Sequence, residues 1–147
     1  METKTKNILW FKEVGKSDGA TVGGKGANLG ELTQAGFPVP PGFIVTAQAY
    51  FDYINETGLI DKIKAELEGL DFEDTKDLQA RAEKIQGLIK KTPLPEHLKK
   101  EIVEAYHKLQ ETDHTKNLYV AVRSSATAED LADASVAGQQ ATFLNIL

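Results

Sequence analysis

Cysteine is absent from the 147 residues, which removes disulfides, thiolate nucleophiles and cysteine-held metals from consideration. Basic charge is scarce: 17 lysines and arginines stand against 22 aspartates and glutamates, a net charge of -5. A surface made for nucleic acid or anionic lipid needs a broad basic field, so both partners are expected to be absent, while a local anion pocket stays open. Long hydrophobic runs are lacking too. The opening METKTKNILWF holds an apolar run of only four residues, and nothing later approaches a membrane span. The expected setting is the cytoplasm. The three histidines, His97, His107 and His114, lie at no metal-ligand spacing, which predicts packed or solvated roles. What is present suits a folded domain: 41% hydrophobic and 27% charged residues, in a chain about the size of one domain.

Apolar periodicity divides the chain. NILWF (Asn7–Phe11) reads as a short strand, and KEVGKSDGATVGG as a glycine-rich loop. KGANLGELTQAG then shows helical spacing at Leu29 and Leu32, with Gly36 as the stop. Pro38, Pro40 and Pro41 force an extended path into a buried strand, Gly42–Val45. Thr46 is a candidate N-cap for a helix whose apolar positions are Ala47, Tyr50, Phe51 and Ile54. Three more helices are predicted, over Leu59–Leu70, Thr75–Lys91 and Glu96–Thr112. The second has a stripe at Leu78, Ala82, Ile85 and Ile89; the third has one at Leu98, Ile102, Ala105 and Leu109. NLYVAVRSS and ATFLNIL close the chain as strands. The fold class expected is α+β: one small mixed sheet from strands near Ile8, Phe43, Val120 and Phe143, under four to five helices. All of 1–147 is read as one domain, and its apolar ending suggests a segment of something longer.

Two stretches carry chemistry. In VGGKGANLGEL (Val22–Leu32) three glycines surround Lys25. Gly19, Gly24 and Lys25 meet part of the P-loop spacing, but Gly26 stands where the magnesium-binding hydroxyl belongs. Gly24 and Gly26 begin a dinucleotide fingerprint, but Leu29 occupies its third glycine position. Two readings remain: a backbone that approaches an anion at a helix N-terminus beside a lysine, or a glycine-rich turn with a surface lysine.

In AVRSSATAEDLADASVAGQQATFLNI, Arg123 follows a hydrophobic strand and is expected to be partly buried with an anionic partner. That partner is either one of Glu129, Asp130 and Asp133, or a phosphate, which the guanidinium fork suits. Ser124, Ser125 and Thr127 add hydroxyls, although Thr127 with Asp130 also fits a capping box. Ala134, Ala137 and Gly138 are small enough for a ligand to lie against, and Gln139, Gln140 and Thr142 can hydrogen-bond it.

Together these stretches resemble the start of the nucleotide-binding domain of phosphoenolpyruvate synthases, whose close relatives are pyruvate phosphate dikinase and rifampicin phosphotransferase. The resemblance covers Ile8–Tyr53 and Leu118–Leu147; the helical middle matches in character only. It implies the first part of an ATP-grasp-like domain that binds ATP. The family's phosphate-contacting lysine falls on Lys25 and its arginine on Arg123; its pocket-lining glycine and threonine fall on Gly138 and Thr142. Ser124, Gln139, Gln140 and Phe143 stand beside them as further candidate nucleotide contacts. The resemblance also implies transfer of the β-phosphoryl of ATP to a histidine on a swivelling domain, then to pyruvate. A rifampicin-type acceptor and a non-catalytic truncated module are the alternatives. The phosphohistidine segment has no counterpart here, and the Mg2+ ligands are expected beyond Leu147. The isolated chain is expected to hold substrate without completing the reaction, its partners being small-molecule substrates and the remaining domains of the enzyme.

Overall fold

The computed structural model describes residues 6–127 and 141–147. β1 (Ile8–Trp10) pairs antiparallel with β2 (Phe43–Val45), with Ile8 opposite Val45 and Trp10 opposite Phe43. The Trp10 and Phe43 rings lie 5.6 Å apart, a tilted cross-strand contact of the kind that stabilises such pairs. β2 is half-exposed rather than buried, because a two-stranded ribbon covers only one face.

Between the two strands the chain makes two single-turn 3-10 helices, Phe11–Glu13 and Lys16–Asp18, and then α1 (Gly19–Gln34). The glycine-rich segment expected as loop is therefore largely helical. Each short helix is started by a carboxylate that reaches back: Glu13 Oε2 accepts from Trp10 N at 2.8 Å, and Asp18 Oδ2 from Gly15 N at 2.8 Å. Glu31 and Gln34 of α1 tie the same segment down, accepting from Lys16 N and donating to Val14 O, both at 2.7 Å. Val14, Val22 and Ala27 form a small buried core with Leu9 and Ile44 against it. Gly30 sits under the Val14 carbonyl, so close that no Cβ would fit. Gly36, at φ +81°, closes α1 as the sequence predicts.

The larger core belongs to α2 (Ala47–Glu56), α3 (Leu59–Leu67), α4 (Thr75–Lys91) and α5 (Glu96–Asp113). Ala49, Tyr53, Ile54, Leu59 and Leu98 form it, with Ile60, Ile63, Leu88, Ile89 and Ile102 packed around them. Thr46 caps α2 as expected, accepting from Ala49 N at 3.3 Å while donating to Lys6 O at 3.0 Å. The inward face of α2 differs from the expected one: Tyr53 turns in, and Tyr50 and Phe51 are exposed. A polar need selects Tyr53, whose hydroxyl is 3.0 Å from both Ile89 O and Thr92 O at the end of α4. α4 packs through Leu88 and Ile89 near its end, which leaves Leu78 and Ala82 exposed despite their helical spacing. Arg81 joins α4 to α3: Nη1 donates to Glu66 O at 2.6 Å and Glu68 O at 3.0 Å, carbonyls at the C-terminal end of α3.

β3 (Val120–Arg123) pairs antiparallel with β4 (Thr142–Ile146). From Val120 to Val122 the partners move from Ile146 to Phe143, so β4 carries one extra residue. Asn145, at φ 57°, takes the left-handed conformation that such a bulge asks for and that asparagine tolerates. Among the described residues, the four strands thus stand as two antiparallel pairs, β1–β2 and β3–β4, rather than as one mixed sheet. Apolar alternation marks a strand without choosing its neighbour, so the strands were legible and the pairing was not.

Candidate functional site

Gly23 is where the two glycine- and hydroxyl-rich stretches meet. Its φ of 74° and ψ of 166° break α1 into a short first turn and a main helix that begins at Gly24. That backbone region is essentially closed to residues with a Cβ. Ser125, just past β3, fills the space left by the missing side chain: a Cβ on Gly23 would overlap Ser125 Oγ and lie 2.6 Å from its carbonyl carbon and oxygen. The serine hydroxyl donates to Val22 O at 2.8 Å and accepts from Gly26 N at 3.1 Å. Beside it, Gly24 N donates to Ala126 O at 3.2 Å. Residues 22–26 and 124–126, about a hundred positions apart in sequence, are therefore bound into one unit.

This changes one expectation. A helix N-terminus offers unpaired N–H groups only if nothing else takes them. Here the Gly24 and Gly26 amides are already given to Ala126 and Ser125. Ser125 was legible only as one hydroxyl in a row of three; no local pattern signals a contact with a glycine so far away.

Lys25 lies between the two tied glycines and is half-buried. Arg123 is exposed, not partly buried as expected, because β3–β4 presents most of its residues to solvent. Its register partner is Thr142, so these two side chains leave the ribbon on the same face; Val122 and Phe143 form the next opposed pair. Phe143 is 59% exposed, available for contact rather than committed to a core. Ser124 serves the ribbon: its N and Oγ donate to Ala141 O at 3.1 and 3.3 Å, and Oγ accepts from Ala141 N at 3.2 Å. Gly138, Gln139 and Gln140 lie outside the described residues, as do Ala134, Ala137 and the carboxylates Glu129, Asp130 and Asp133.

Lys25 and Arg123 bring positive charge, and Thr142 brings a hydroxyl, while that of Ser124 is given to Ala141 O. That donor set suits phosphate oxygens and does not suit Mg2+, which wants carboxylate and water oxygens. Among the described residues no group of three or more His, Asp or Glu side chains is placed to hold a metal ion. The histidines have other neighbours. His97 Nδ1 is 3.7 Å from Glu56 Oε2, His107 Nδ1 is 3.0 Å from Gln110 Oε1, and His114 follows α5 at φ 55°. No described helix is long and apolar enough to cross a membrane.

Comparison with known proteins places the sequence in a family. Residues 19–147 match the family model described as pyruvate phosphate dikinase, AMP/ATP-binding domain. The chain is 52% identical over 141 residues to a probable phosphoenolpyruvate synthase of Methanothermobacter thermautotrophicus, covering 96% of this chain and 21% of that protein. It is 54% identical over 141 residues to a probable phosphoenolpyruvate synthase of Methanocaldococcus jannaschii, covering 96% of this chain and 12% of that protein. It is 41% identical over 172 residues to the phosphoenolpyruvate synthase of Pyrococcus furiosus, covering 95% of this chain and 21% of that protein. The chain thus spans between 12% and 21% of the length of these relatives. With a family match that takes in both stretches of the site, the chain belongs to the pyruvate phosphate dikinase AMP/ATP-binding domain family.

Proposed function

We propose that this chain forms one wall of the ATP site in a longer, cytoplasmic phosphotransferase of the phosphoenolpyruvate synthase type. The overall reaction would convert ATP, pyruvate and water into AMP, phosphoenolpyruvate and phosphate, through a phosphohistidine on a domain outside this chain. The observation that carries the reading is the binding of residues 22–26 to residues 124–126, which brings the lysine stretch and the arginine stretch together. Lys25 and Arg123 would offset charge that develops on the phosphates, the usual protein contribution to phosphoryl transfer. Thr142, opposite Arg123, would hydrogen-bond the nucleotide on the same face, and Phe143 and Ser124 would flank it. Gly138, Gln139 and Gln140 would complete the wall. Relatives named as phosphoenolpyruvate synthases favour pyruvate over rifampicin as the acceptor.

The experiment is kinetic. In the full-length protein that carries this segment, Lys25→Ala and Arg123→Ala should each lower ATP-dependent turnover of pyruvate by about 10²–10³-fold, as for loss of one preorganised charge contact. Wild-type turnover in both variants refutes the assignment.

A further inference from the structure

We propose that Ser125 is a positioning residue for this site, an inference that rests on the nucleotide reading of Lys25 and Arg123. Its hydroxyl holds Gly23 in a conformation that fixes where Lys25 stands relative to Arg123. A serine hydroxyl has one hydrogen to give, and here it goes to Val22 O at 2.8 Å while the oxygen accepts from Gly26 N at 3.1 Å. The two bonds bracket Gly23, one residue before it and three after.

Glycine enters a backbone at φ 74° and ψ 166° without steric strain, and it keeps to that one conformation where contacts remove its alternatives. Ser125 does so by hydrogen bonding on both sides of the kink and by occupying the room that a side chain at 23 would need. A third tie, Gly24 N to Ala126 O at 3.2 Å, fixes the residue before Lys25. Lys25 is thus flanked by two residues bound to the 125–126 backbone and hydroxyl. Arg123 lies two residues before Ser125 and is held by its pairing with Thr142. One path from one cation to the other runs through Gly26, Ser125 and Ser124, a second through Gly24 and Ala126, and the side-chain link in the first is the Ser125 hydroxyl. Alanine at 125 would take from the Val22 carbonyl and the Gly26 amide the hydroxyl that both now meet in a partly buried place.

The test uses the full-length protein, with ATP-dependent turnover of pyruvate and thermal melting measured together. Ser125→Ala should lower kcat about tenfold with the KM for pyruvate unchanged, and Ser125→Thr, which keeps the hydroxyl, should restore most of that rate. Because the hydroxyl acts through Lys25, Ser125→Ala should cost less than about twofold in a Lys25→Ala background. A wild-type rate in Ser125→Ala, or its full loss repeated on top of Lys25→Ala, overturns the positioning role while leaving the site reading intact. A silent Lys25→Ala overturns the positioning role, and silence in both Lys25→Ala and Arg123→Ala overturns the site reading as well. A measurement on the unmutated protein guards against a variant that does not fold. The Gly24 and Gly26 amides should be protected from hydrogen exchange without nucleotide; exchange at the rate of an open helix end overturns the bridge.

Discussion

Replacing Gly23 with alanine sets two energies against each other. The conformation itself costs about 1–3 kcal/mol for a residue with a Cβ. Overlap with Ser125, whose carbonyl atoms would stand 2.6 Å away, adds a packing cost of about 1–3 kcal/mol. Against a total of about 2–6 kcal/mol stand the three hydrogen bonds that join 22–26 to 124–126, at about 0.5–1.5 kcal/mol each. The penalty is of the same order as the about 1.5–4.5 kcal/mol that the junction supplies, enough to shift the balance toward parted stretches. The rest of the fold need not follow, because the core of Ala49, Tyr53, Ile54, Leu59 and Leu98 lies elsewhere. Hydrogen exchange followed by mass spectrometry checks this. Peptides covering 22–26 and 124–126 should exchange at least about tenfold faster, as expected for a loss of about 1.4 kcal/mol or more, while peptides covering 49–59 stay as in the wild type. Unchanged exchange at Gly24 and Gly26, with ATP affinity retained, refutes the reasoning.

Two further predictions concern stability. Gly87 lies inside α4, and a Cβ added there would meet nothing within 4 Å, so Gly87→Ala should stabilise the protein by about 0.5–1 kcal/mol, seen as a higher melting temperature; a lower one contradicts the open environment. Asp77 is held below the usual carboxylate range chiefly by the hydrogen bond from Arg81, and Glu13 chiefly by the N–H of Trp10. A carboxyl whose value is lowered on folding contributes stability above its unfolded value and loses it as pH falls through the folded one. Melting temperature should therefore drop as pH falls below the ordinary carboxylate range, and Asp77→Asn and Glu13→Gln should each flatten that limb. An unaltered acid limb in both variants refutes the linkage.

How much was legible in the sequence depended on the range of the interaction. Thr46 as a cap, Gly36 as a stop, and α4 over Thr75–Lys91 all follow from contacts within a few residues, and the structure has them there. The stripe at Leu98, Ala105 and Leu109 is buried as its spacing implies, with Ile102 packed beside the core. Expectations failed where a partner decides. Tyr53 took the inward place from Tyr50 and Phe51 because two carbonyls at the end of α4 needed a donor. Arg123 is exposed because a two-stranded ribbon offers little cover, whatever the apolarity of its sequence. At the candidate site, both stretches could be named from their residue types, but the serine that joins them could not. Its role exists only once residues 22 and 125 are neighbours.

The junction at Ser125 also bears on the order in which the molecule assembles. The Val22–Ser125 bond spans 103 residues, and closing a flexible loop of that length costs about 4 kcal/mol, roughly as much as the three bonds return. Closure becomes favourable only after α2 to α5 have shortened the intervening chain through contacts that are local in sequence. The junction should therefore be late to form and early to open. A destabilised helix far from Lys25 should be felt as weakened nucleotide binding before it is felt as unfolding.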